Sequence, residues 1–383
     1  MKALLLIRGV LAIIAIGILG FFFSQNKISK PTPMTPSQSV TASSDNSVSA
    51  VSVIAQQLDT PWALAFLPDN SILFTERPGR IRFIDNSGKL DLTPITTVAG
   101  VKEIGEGGLL GLTLHPDFST NHYLYLYYTY SSQGSDTLNR VVRMTYIDKK
   151  LSDEQIIIDK IPGAANHNGG RIKFGPDGYL YITTGDAENP SLSQNTKAMG
   201  GKILKVTADG KMAPGSPFNN LVYSYGHRNP QGLAWDKDGN LWETEHGRSS
   251  PTGFDELNLI EKGKNYGWPT IQGDETKQGM ITPKYNSGPT TTWAPAGTAY
   301  LNGSLFFGGL KGQTLYEAVI QKDQVTALRE YFTGEFGRIR DVVVGPDNLL
   351  YITTSNQDGR GTPGSTDDKI MKIDPAKLST NSY

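Results

Sequence analysis

Apolar and polar positions alternate along residues 51–376, and short turn sequences interrupt the alternation at intervals. Each copy has an apolar doublet, a Pro-Asp, Asp-Gly or Asn-Gly turn, and then a run of β-branched and aromatic residues. The turn residues supply the backbone conformations that hairpins need, and a period of two is typical of strands. The pattern therefore predicts six β-hairpins, with turns near Pro68, Pro116, Pro176, Lys237, Asn302 and Pro346.

The spacing of these hairpins predicts an all-β fold, a six-bladed β-propeller of four-stranded antiparallel blades. Six units in residues 51–376 give about 54 residues per blade, and radial closure lets each blade bury its faces against its neighbours. The 42 glycines and 22 prolines also favour short strands and turns over long helices. A sandwich of similar hairpins remains the alternative.

The N-terminus indicates export. Residues 1–23 form an apolar segment with Lys2 and Arg8, and its uninterrupted part, 9–23, is short for a membrane span but suits a signal peptide. No small-residue cleavage pattern follows Phe23, so a signal peptide and a signal anchor both remain open. Residues 24–50 are predicted to be a flexible Ser/Thr/Pro-rich linker, and 377–383 a C-terminal tail. We expect a periplasmic or extracellular location, with residues 1–23 as a possible membrane tether.

Charge and cysteine content exclude several classes of function. The formal net charge is −1 and no basic stripe occurs, which argues against a nucleic-acid partner. The chain has no cysteine, so disulfides, thiolate metal sites and cysteine nucleophiles are all excluded.

The loop before one hairpin carries His167, and Asp186 follows the second strand of the same hairpin. This spacing predicts that an imidazole and a carboxylate meet at one end of the hairpin. An imidazole accepts a proton near neutral pH, and a neighbouring carboxylate fixes its tautomer. The alternative is a loop histidine bonded to backbone beside an ordinary turn aspartate.

Two further groups of residues point to ligands. Loops at equivalent blade ends carry Arg228, Lys311, Arg338 and Arg340, and cations that converge on one mouth predict a polyanionic ligand. The alternative is that each cation pairs with a local acid, as Arg340 would with Asp341. Residues 255–258 and 265–268 offer carboxylate and backbone oxygens of the kind that Ca²⁺ binds, although not with EF-hand spacing.

Four motifs in order, NHNGGR with a downstream TTGD, YSYGHRNPQGLAWD, DELNLIEKGKNYGWP and GRIRDVVVGPDNLLYITT, resemble the soluble quinoprotein sugar dehydrogenases. This family comprises PQQ-dependent glucose dehydrogenase and aldose sugar dehydrogenase, also called glucose/sorbosone dehydrogenases. The resemblance covers residues 51–375. It implies a six-bladed propeller that binds pyrroloquinoline quinone (PQQ), a tricarboxylate quinone, together with Ca²⁺ in the mouth of its channel.

The resemblance also implies roles for individual residues. His167 matches the base that removes the sugar hydroxyl proton while hydride passes to Ca²⁺-activated PQQ, with Asp186 supporting it and Arg228 beside the cofactor. The positions that match cofactor-binding residues are Glu106, Arg228, Asn229, Lys311, Arg338 and Arg340. Gly247 and Arg248 match main-chain ligands of the cofactor-bound Ca²⁺, and Glu256 and Tyr266 match a second, structural Ca²⁺ site.

Three positions depart from the family pattern. Glu106 replaces a glutamine, and its carboxylate would repel a tricarboxylate unless it is protonated or paired with an arginine. Arg248 replaces a proline next to the Ca²⁺ carbonyls. The tryptophan and tyrosine that shape the substrate pocket of the glucose enzyme have no clear counterpart in residues 289–293.

The expected activity is therefore PQQ-dependent oxidation of an aldose sugar to a lactone, with a quinone or cytochrome as electron acceptor. Two alternatives remain. Six-bladed propellers also host Ca²⁺-dependent lactonases, and a non-catalytic carbohydrate-binding propeller would keep the fold without the chemistry.

Overall fold

The computed structural model describes residues 49–132, 136–248 and 253–378. The predicted N-terminal segment, the linker up to residue 48 and the end of the C-terminal tail lie outside these ranges. Across the described ranges, no helix is both long and apolar enough to cross a membrane.

All six predicted hairpins form, and each supplies the first two strands of a four-stranded antiparallel sheet. Blades 1 to 3 consist of β2 (Pro61–Phe66), β3 (Ile72–Glu76), β4 (Arg80–Ile84) and β5 (Thr96–Thr97); β6 (Leu109–Leu114), β7 (Tyr123–Tyr130), β8 (Leu138–Ile147) and β9 (Lys150–Pro162); and β10 (Ile172–Phe174), β11 (Leu180–Thr184), β12 (Lys202–Val206) and β13 (Val222–Tyr225).

Blades 4 and 5 consist of β14 (Pro230–Trp235), β15 (Leu241–Glu245), β16 (Glu256–Ile260) and β17 (Tyr285–Asn286); and β18 (Pro295–Leu301), β19 (Ser304–Gly309), β20 (Leu315–Gln321) and β21 (Gln324–Tyr331). Blade 6 consists of β22 (Ile339–Val344), β23 (Leu350–Thr354), β24 (Ile370–Ile373) and β1 (Val51–Ala55).

Strand β1 closes the ring. It pairs antiparallel with β24, Val51 opposite Ile373, so the start of the domain completes the blade that its end begins. Backbone hydrogen bonds between the two ends of the domain thus hold the circle together. The predicted six-bladed propeller is confirmed.

Helices are short among the described residues. Helix α1 (Phe118–Asn121) follows the turn of blade 2, α2 (Ser191–Gln194) follows β11, and a 3₁₀ helix (Pro375–Lys377) ends the described chain. The side chain of Asp374 caps this last helix by accepting a hydrogen bond from Ala376 N.

The core lies between the blades. Trp62, Tyr125 and Tyr127 are buried in a cluster that spans the first three blades. Edge-to-face aromatic contacts join other neighbours, such as Tyr181 of blade 3 and Trp235 of blade 4, whose ring centroids lie 5.2 Å apart. Each blade therefore buries its two faces against its two neighbours, as the alternating sequence pattern requires.

The topology brings two sets of loops to one end of the central channel. One set precedes the innermost strand of a blade, as the loop before β10 does. The other follows the second strand, as the loop after β15 does. Since antiparallel neighbours reverse direction, both sets meet at the same rim.

Candidate active site

A cavity of about 320 Å³ occupies this rim, and loops from all six blades line it. Its described lining residues are Arg77, Gly105, Glu106, His167, Arg228, His246, Thr292, Ala294, Leu310, Lys311, Arg338, Arg340, Asp358 and Arg360. Six of them are lysine or arginine, against two carboxylates, so the cavity suits an anionic ligand.

The loop that carries His167 is held in an uncommon conformation. His167 has a φ of +58°, its N–H donates to Glu106 Oε2 at 3.1 Å, and its carbonyl accepts from Ala187 N at 3.1 Å. A Cβ on Gly185 would lie 1.9 Å from the His167 carbonyl oxygen, so only glycine fits there. The local sequence thus presents the imidazole to the cavity at a fixed height.

His167 and Asp186 meet as their spacing predicted. Nδ1 of His167 lies 2.8 Å from Oδ1 of Asp186, whose side chain is 1% exposed while that of His167 is 18% exposed. The carboxylate favours the tautomer with its proton on Nδ1, which leaves Nε2 as the acceptor. The pair can therefore take up a proton inside the cavity.

The four cations singled out in the sequence line the same cavity. Lys311 is exposed, whereas Arg338 is buried and pairs with Asp358 at 2.7 Å. Arg340 donates to Gln231 Oε1 at 2.6 Å, and Arg228 donates to the carbonyl of His246 at 3.2 Å.

The pairing of Arg340 with Asp341, considered from the sequence, does not occur. Asp341 binds Arg171 at 3.0 Å instead. Burial lowers the pKa of Arg340 to about 9, although the charge of Asp358 opposes the shift. The guanidinium still carries its charge at neutral pH, and an anion in the cavity would stabilise it.

Glu106 is paired with an arginine, one of the two conditions under which a carboxylate fits here. Its Oε1 binds Arg360, and its Oε2 accepts from His167 N and from Asn229 Nδ2 at 3.3 Å. Burial alone would raise the pKa of Glu106, but His246 in its protonated form, the charge of Arg360 and the hydrogen bonds from Arg360 and His167 N–H lower it to about 2.

Asn229 joins the loops of neighbouring blades. Besides its bond to Glu106, its Oδ1 accepts from Gly169 N at 3.0 Å, two residues after His167. It is fully buried, and it fixes the loop of His167 against the loop of Arg228.

Sequence reasoning missed four polar residues of the cavity: Arg77, His246, Asp358 and Arg360. Each follows the second strand of its blade, as Lys311 does, so alignment of the residues after that strand in every repeat would have found them. His246 is 9% exposed, burial lowers its pKa to about 4, and its Nε2 has no hydrogen-bond partner among the described residues.

The loop predicted to hold the cofactor's Ca²⁺ lies beside the cavity. Gly247 N donates to Asp255 Oδ1 at 2.9 Å, and a Cβ on Gly247 would lie 2.0 Å from the carbonyl oxygen of Phe254. The other carboxylate oxygen of Asp255 accepts from Trp293 N and Ala294 N. Asp255 therefore organises these loops through hydrogen bonds, and its carboxylate is occupied.

Two aromatic residues near these loops have different roles. Trp293 is 3% exposed and packs against Phe307 and Tyr316 in the core, so it does not face the cavity. Trp268 is not among the residues that line the cavity, and the guanidinium of the exposed Arg248 lies 5.9 Å from its ring centroid.

Glu256 belongs to a buried acidic cluster beneath Arg228. Ligand atoms of His227, Glu243 and Glu245 lie within 4.8 Å of one another, and Asn258 Nδ2 bridges Glu243 and Glu256. Burial raises the pKa of Glu245 and Glu256 to about 8, and the charge of Glu245 adds to the effect on Glu256. Such a cluster would favour a bound cation.

Tyr266 lies against the same cluster. Its ring stacks on His227 with centroids 4.9 Å apart, and its hydroxyl donates to Leu259 O at 2.6 Å. The hydroxyl is therefore engaged, and only the main-chain oxygen of Tyr266 is left for a role in metal binding.

Comparisons with known proteins agree with this geometry. A family model described as Glucose / Sorbosone dehydrogenase matches residues 58–363. Aldose sugar dehydrogenase YliI of Escherichia coli K12 is 34% identical over 358 residues, with 85% of this chain and 92% of that protein covered. Quinoprotein glucose dehydrogenase B of Acinetobacter calcoaceticus is 35% identical over 292 residues, with 67% of this chain and 59% of that protein covered.

Among solved structures, the PQQ-bound form of aldose sugar dehydrogenase from Streptomyces coelicolor superposes with a TM-score of 0.79. It is 40% identical, and the match covers 85% of this chain and 97% of that chain. Fold, motifs and overall similarity agree, and the chain belongs to the glucose/sorbosone dehydrogenase family.

Proposed function

We propose that the protein is a PQQ-dependent dehydrogenase that oxidises aldose sugars to lactones. The observation that carries this proposal is the cavity itself, in which cations from several blades surround one His–Asp pair. A tricarboxylate quinone needs cationic partners on several sides, and a sugar hydroxyl needs a base at the same place.

The residues present fit PQQ. Lys311, Arg338 and Arg340 would bind its carboxylates and quinone oxygens, and Arg228 with Asn229 would complete the site at the blade 4 loop. Two buried nitrogens in the lining, Arg340 Nε and His246 Nε2, have no partner among the described residues. The chemistry supplied by bound PQQ is acceptance of a hydride from the sugar carbon, with Ca²⁺ as the Lewis acid.

The protein's own contribution to the reaction is proton transfer. Nε2 of His167 takes the proton of the sugar hydroxyl, and Asp186 fixes the ring and stabilises the imidazolium that forms. Glu106 and Asn229 hold the base loop in place through the His167 and Gly169 N–H groups. General-base catalysis of this kind contributes roughly 10²- to 10⁴-fold to the rate.

We propose two Ca²⁺ positions. Main-chain carbonyls of Gly247 and Arg248 would hold the ion beside the cofactor, which leaves the exposed Arg248 side chain directed at Trp268. Glu256 and the main-chain oxygen of Tyr266 would hold the structural ion, and the buried carboxylates around Glu256 support a cation there.

Export and electron transfer complete the proposal. The apolar segment 1–23 supports a periplasmic or extracellular location, with or without a membrane tether. A quinone or a cytochrome would then reoxidise the cofactor.

The test is reconstitution of the purified protein with PQQ and Ca²⁺, followed by assay of aldose-dependent reduction of an artificial electron acceptor. We expect turnover that requires PQQ, and a loss of about 10²-fold or more in His167→Ala with the fold preserved. Lactone hydrolysis without PQQ would instead indicate a lactonase, and sugar binding without turnover a non-catalytic propeller.

A further inference from the structure

Trp268 is not among the residues that line the cavity, but its side chain contacts Asp186 of the His167–Asp186 pair. Its indole Nε1 donates to Asp186 Oδ2 at 2.9 Å. We propose that Trp268 is a positioning residue for the dehydrogenase reaction, which holds Asp186 in the orientation that His167 requires. This inference rests on the proposed function, because the proposed base is the group being positioned.

Both oxygens of Asp186 are engaged. Oδ1 faces His167 Nδ1 at 2.8 Å and accepts from Glu188 N at 2.9 Å, and Oδ2 accepts from the indole. The carboxylate is fully buried, so water does not replace a lost partner at low cost. A carboxylate turns easily about its terminal bond, and the indole is the side-chain donor that fixes the plane from the side opposite His167.

Trp268 lies in the loop between β16 and β17 of blade 4, and its main chain is anchored to the blade 3 side. Its backbone N–H donates to Gly226 O at 2.9 Å, and its backbone carbonyl accepts from Gln194 Nε2 at 2.6 Å. The ring face lies 5.4 Å from the guanidinium of Arg228. The indole therefore connects the His167–Asp186 pair of blade 3 to the loop that brings Arg228 of blade 4 to the cavity.

Other charged groups also lie near the His167–Asp186 pair, and they set its electrostatic environment. Glu106 accepts the His167 N–H, Arg360 binds both Glu106 and Asn166, and Glu188 accepts from Asn166 at 2.6 Å. The backbone carbonyl of Arg228 accepts from Asp186 N at 2.7 Å. The indole differs from these groups because it is neutral and donates directly to the Asp186 carboxylate.

Loss of the indole donor has a defined consequence. Without the donor, the buried Asp186 carboxylate loses the plane in which Oδ1 faces His167 Nδ1, so it stabilises the imidazolium less well. The acid limb of the kcat/KM profile therefore moves downward. A purely structural tryptophan would not move this limb.

The experiment compares Trp268→Phe with Trp268→His in the full chain with PQQ and Ca²⁺. Phenylalanine keeps an aromatic ring without a donor, and histidine places a ring N–H where the indole N–H was. We expect kcat to fall about tenfold in Trp268→Phe with KM for the aldose within about threefold, and Trp268→His to recover most of kcat. Trp235→Phe, at the other end of the channel, is the matched control and keeps wild-type kcat.

Wild-type kcat and an unmoved acid limb in Trp268→Phe would overturn the inference, as would equal losses in the Phe and His variants. A second measurement depends neither on the stability of a variant nor on enzyme activity. In the cofactor-free wild type, the ¹⁵N-indole resonance of Trp268, identified as the signal missing from Trp268→Phe, should shift with pH together with the imidazole signals of His167. An indole resonance that ignores His167 would contradict the proposal, whereas inactivity of the wild type with this coupling present would contradict only the proposed function.

Discussion

The two ends of the central channel are built from the same strands but differ in chemistry. The active-site end is lined by loops and carries six cations and two carboxylates among its described lining residues. The opposite end, a cavity of about 460 Å³, is lined by the far halves of the inner strands, and its charged residues are Arg171, Lys173 and Asp341 within the described chain. Arg171 and Asp341 neutralise each other at 3.0 Å.

This difference shows where a propeller can place polar chemistry. Residues within strands must satisfy the alternating burial pattern, and at the far end they are mostly apolar, such as Leu64, Leu114 and Val342. Loops have no such constraint, and here hydrogen bonds between blades make them rigid, as between Glu106 and the His167 N–H. The active-site end therefore combines loop composition with the rigidity of the closed ring.

The largest expected effect is on PQQ affinity, and it is tested by substituting one lysine at each end of the channel. Lys311→Met removes an exposed cation from the active-site cavity, and we expect PQQ to bind roughly 10- to 100-fold more weakly, because a hydrogen-bonded charge pair is lost. Absorbance titration with PQQ measures the change.

Lys173→Met is the matched control. Lys173 donates to Leu233 O at 3.2 Å in the opposite cavity, and burial lowers its pKa to about 8. We expect its removal to leave PQQ affinity within about twofold. Equal effects of the two substitutions would mean that the cofactor does not distinguish the two ends.

A smaller effect concerns the stability of the active-site loops. The pKa of Glu106 is lowered to about 2 in the folded protein, below its ordinary value of 4.5. The contribution of ionised Glu106 to the free energy of unfolding is thus fully present above pH 4.5 and is lost as the pH falls toward 2. We expect the wild type to lose about 2 kcal/mol more of its unfolding free energy over this range than Glu106→Gln, since Arg360 is partly exposed and solvent weakens the pair.

Urea unfolding at several pH values measures this difference. Glu330→Gln, at an exposed position on β21, should keep the wild-type pH dependence. Parallel curves for the wild type and Glu106→Gln would show that Glu106 does not hold the loops together.

The smallest effect concerns the acidic cluster around Glu256. This cluster borders the active-site end, where Arg228 N donates a hydrogen bond to Glu245. Ca²⁺ added to chelator-treated protein should raise the melting temperature by about 3–5 °C, since a ligand that binds only the folded state stabilises it. Glu256→Gln should remove most of this shift, and Glu330→Gln should keep it. A shift that survives in Glu256→Gln would place the stabilising ion elsewhere.

The predictions that succeeded rested on local patterns. The six hairpins follow from alternation and turn residues, and the meeting of His167 with Asp186 follows from their positions on either side of one hairpin. Sorting loops by repeat position also placed Lys311, Arg338 and Arg340 at one rim. In each case the relevant distance lies within one blade or is repeated from blade to blade.

The contacts that the sequence did not predict join segments far apart in the chain. Arg360 follows Glu106 by 254 positions, and Trp268 follows Asp186 by 82. The sequence showed that Glu106 needed a partner but not which arginine would supply it. It also offered no sign that Trp293 belongs to the core or that Trp268 donates to Asp186.

By itself, the sequence determined the blade repeat, the number of blades and four of the six cations at one rim, because strand alternation and turn chemistry act over a few residues. Only the tertiary structure decided which of those charges touch. Ring closure by β1 sets the angular position of every blade, and that position fixes the distances across the cavity on which each ion pair and hydrogen bond depends.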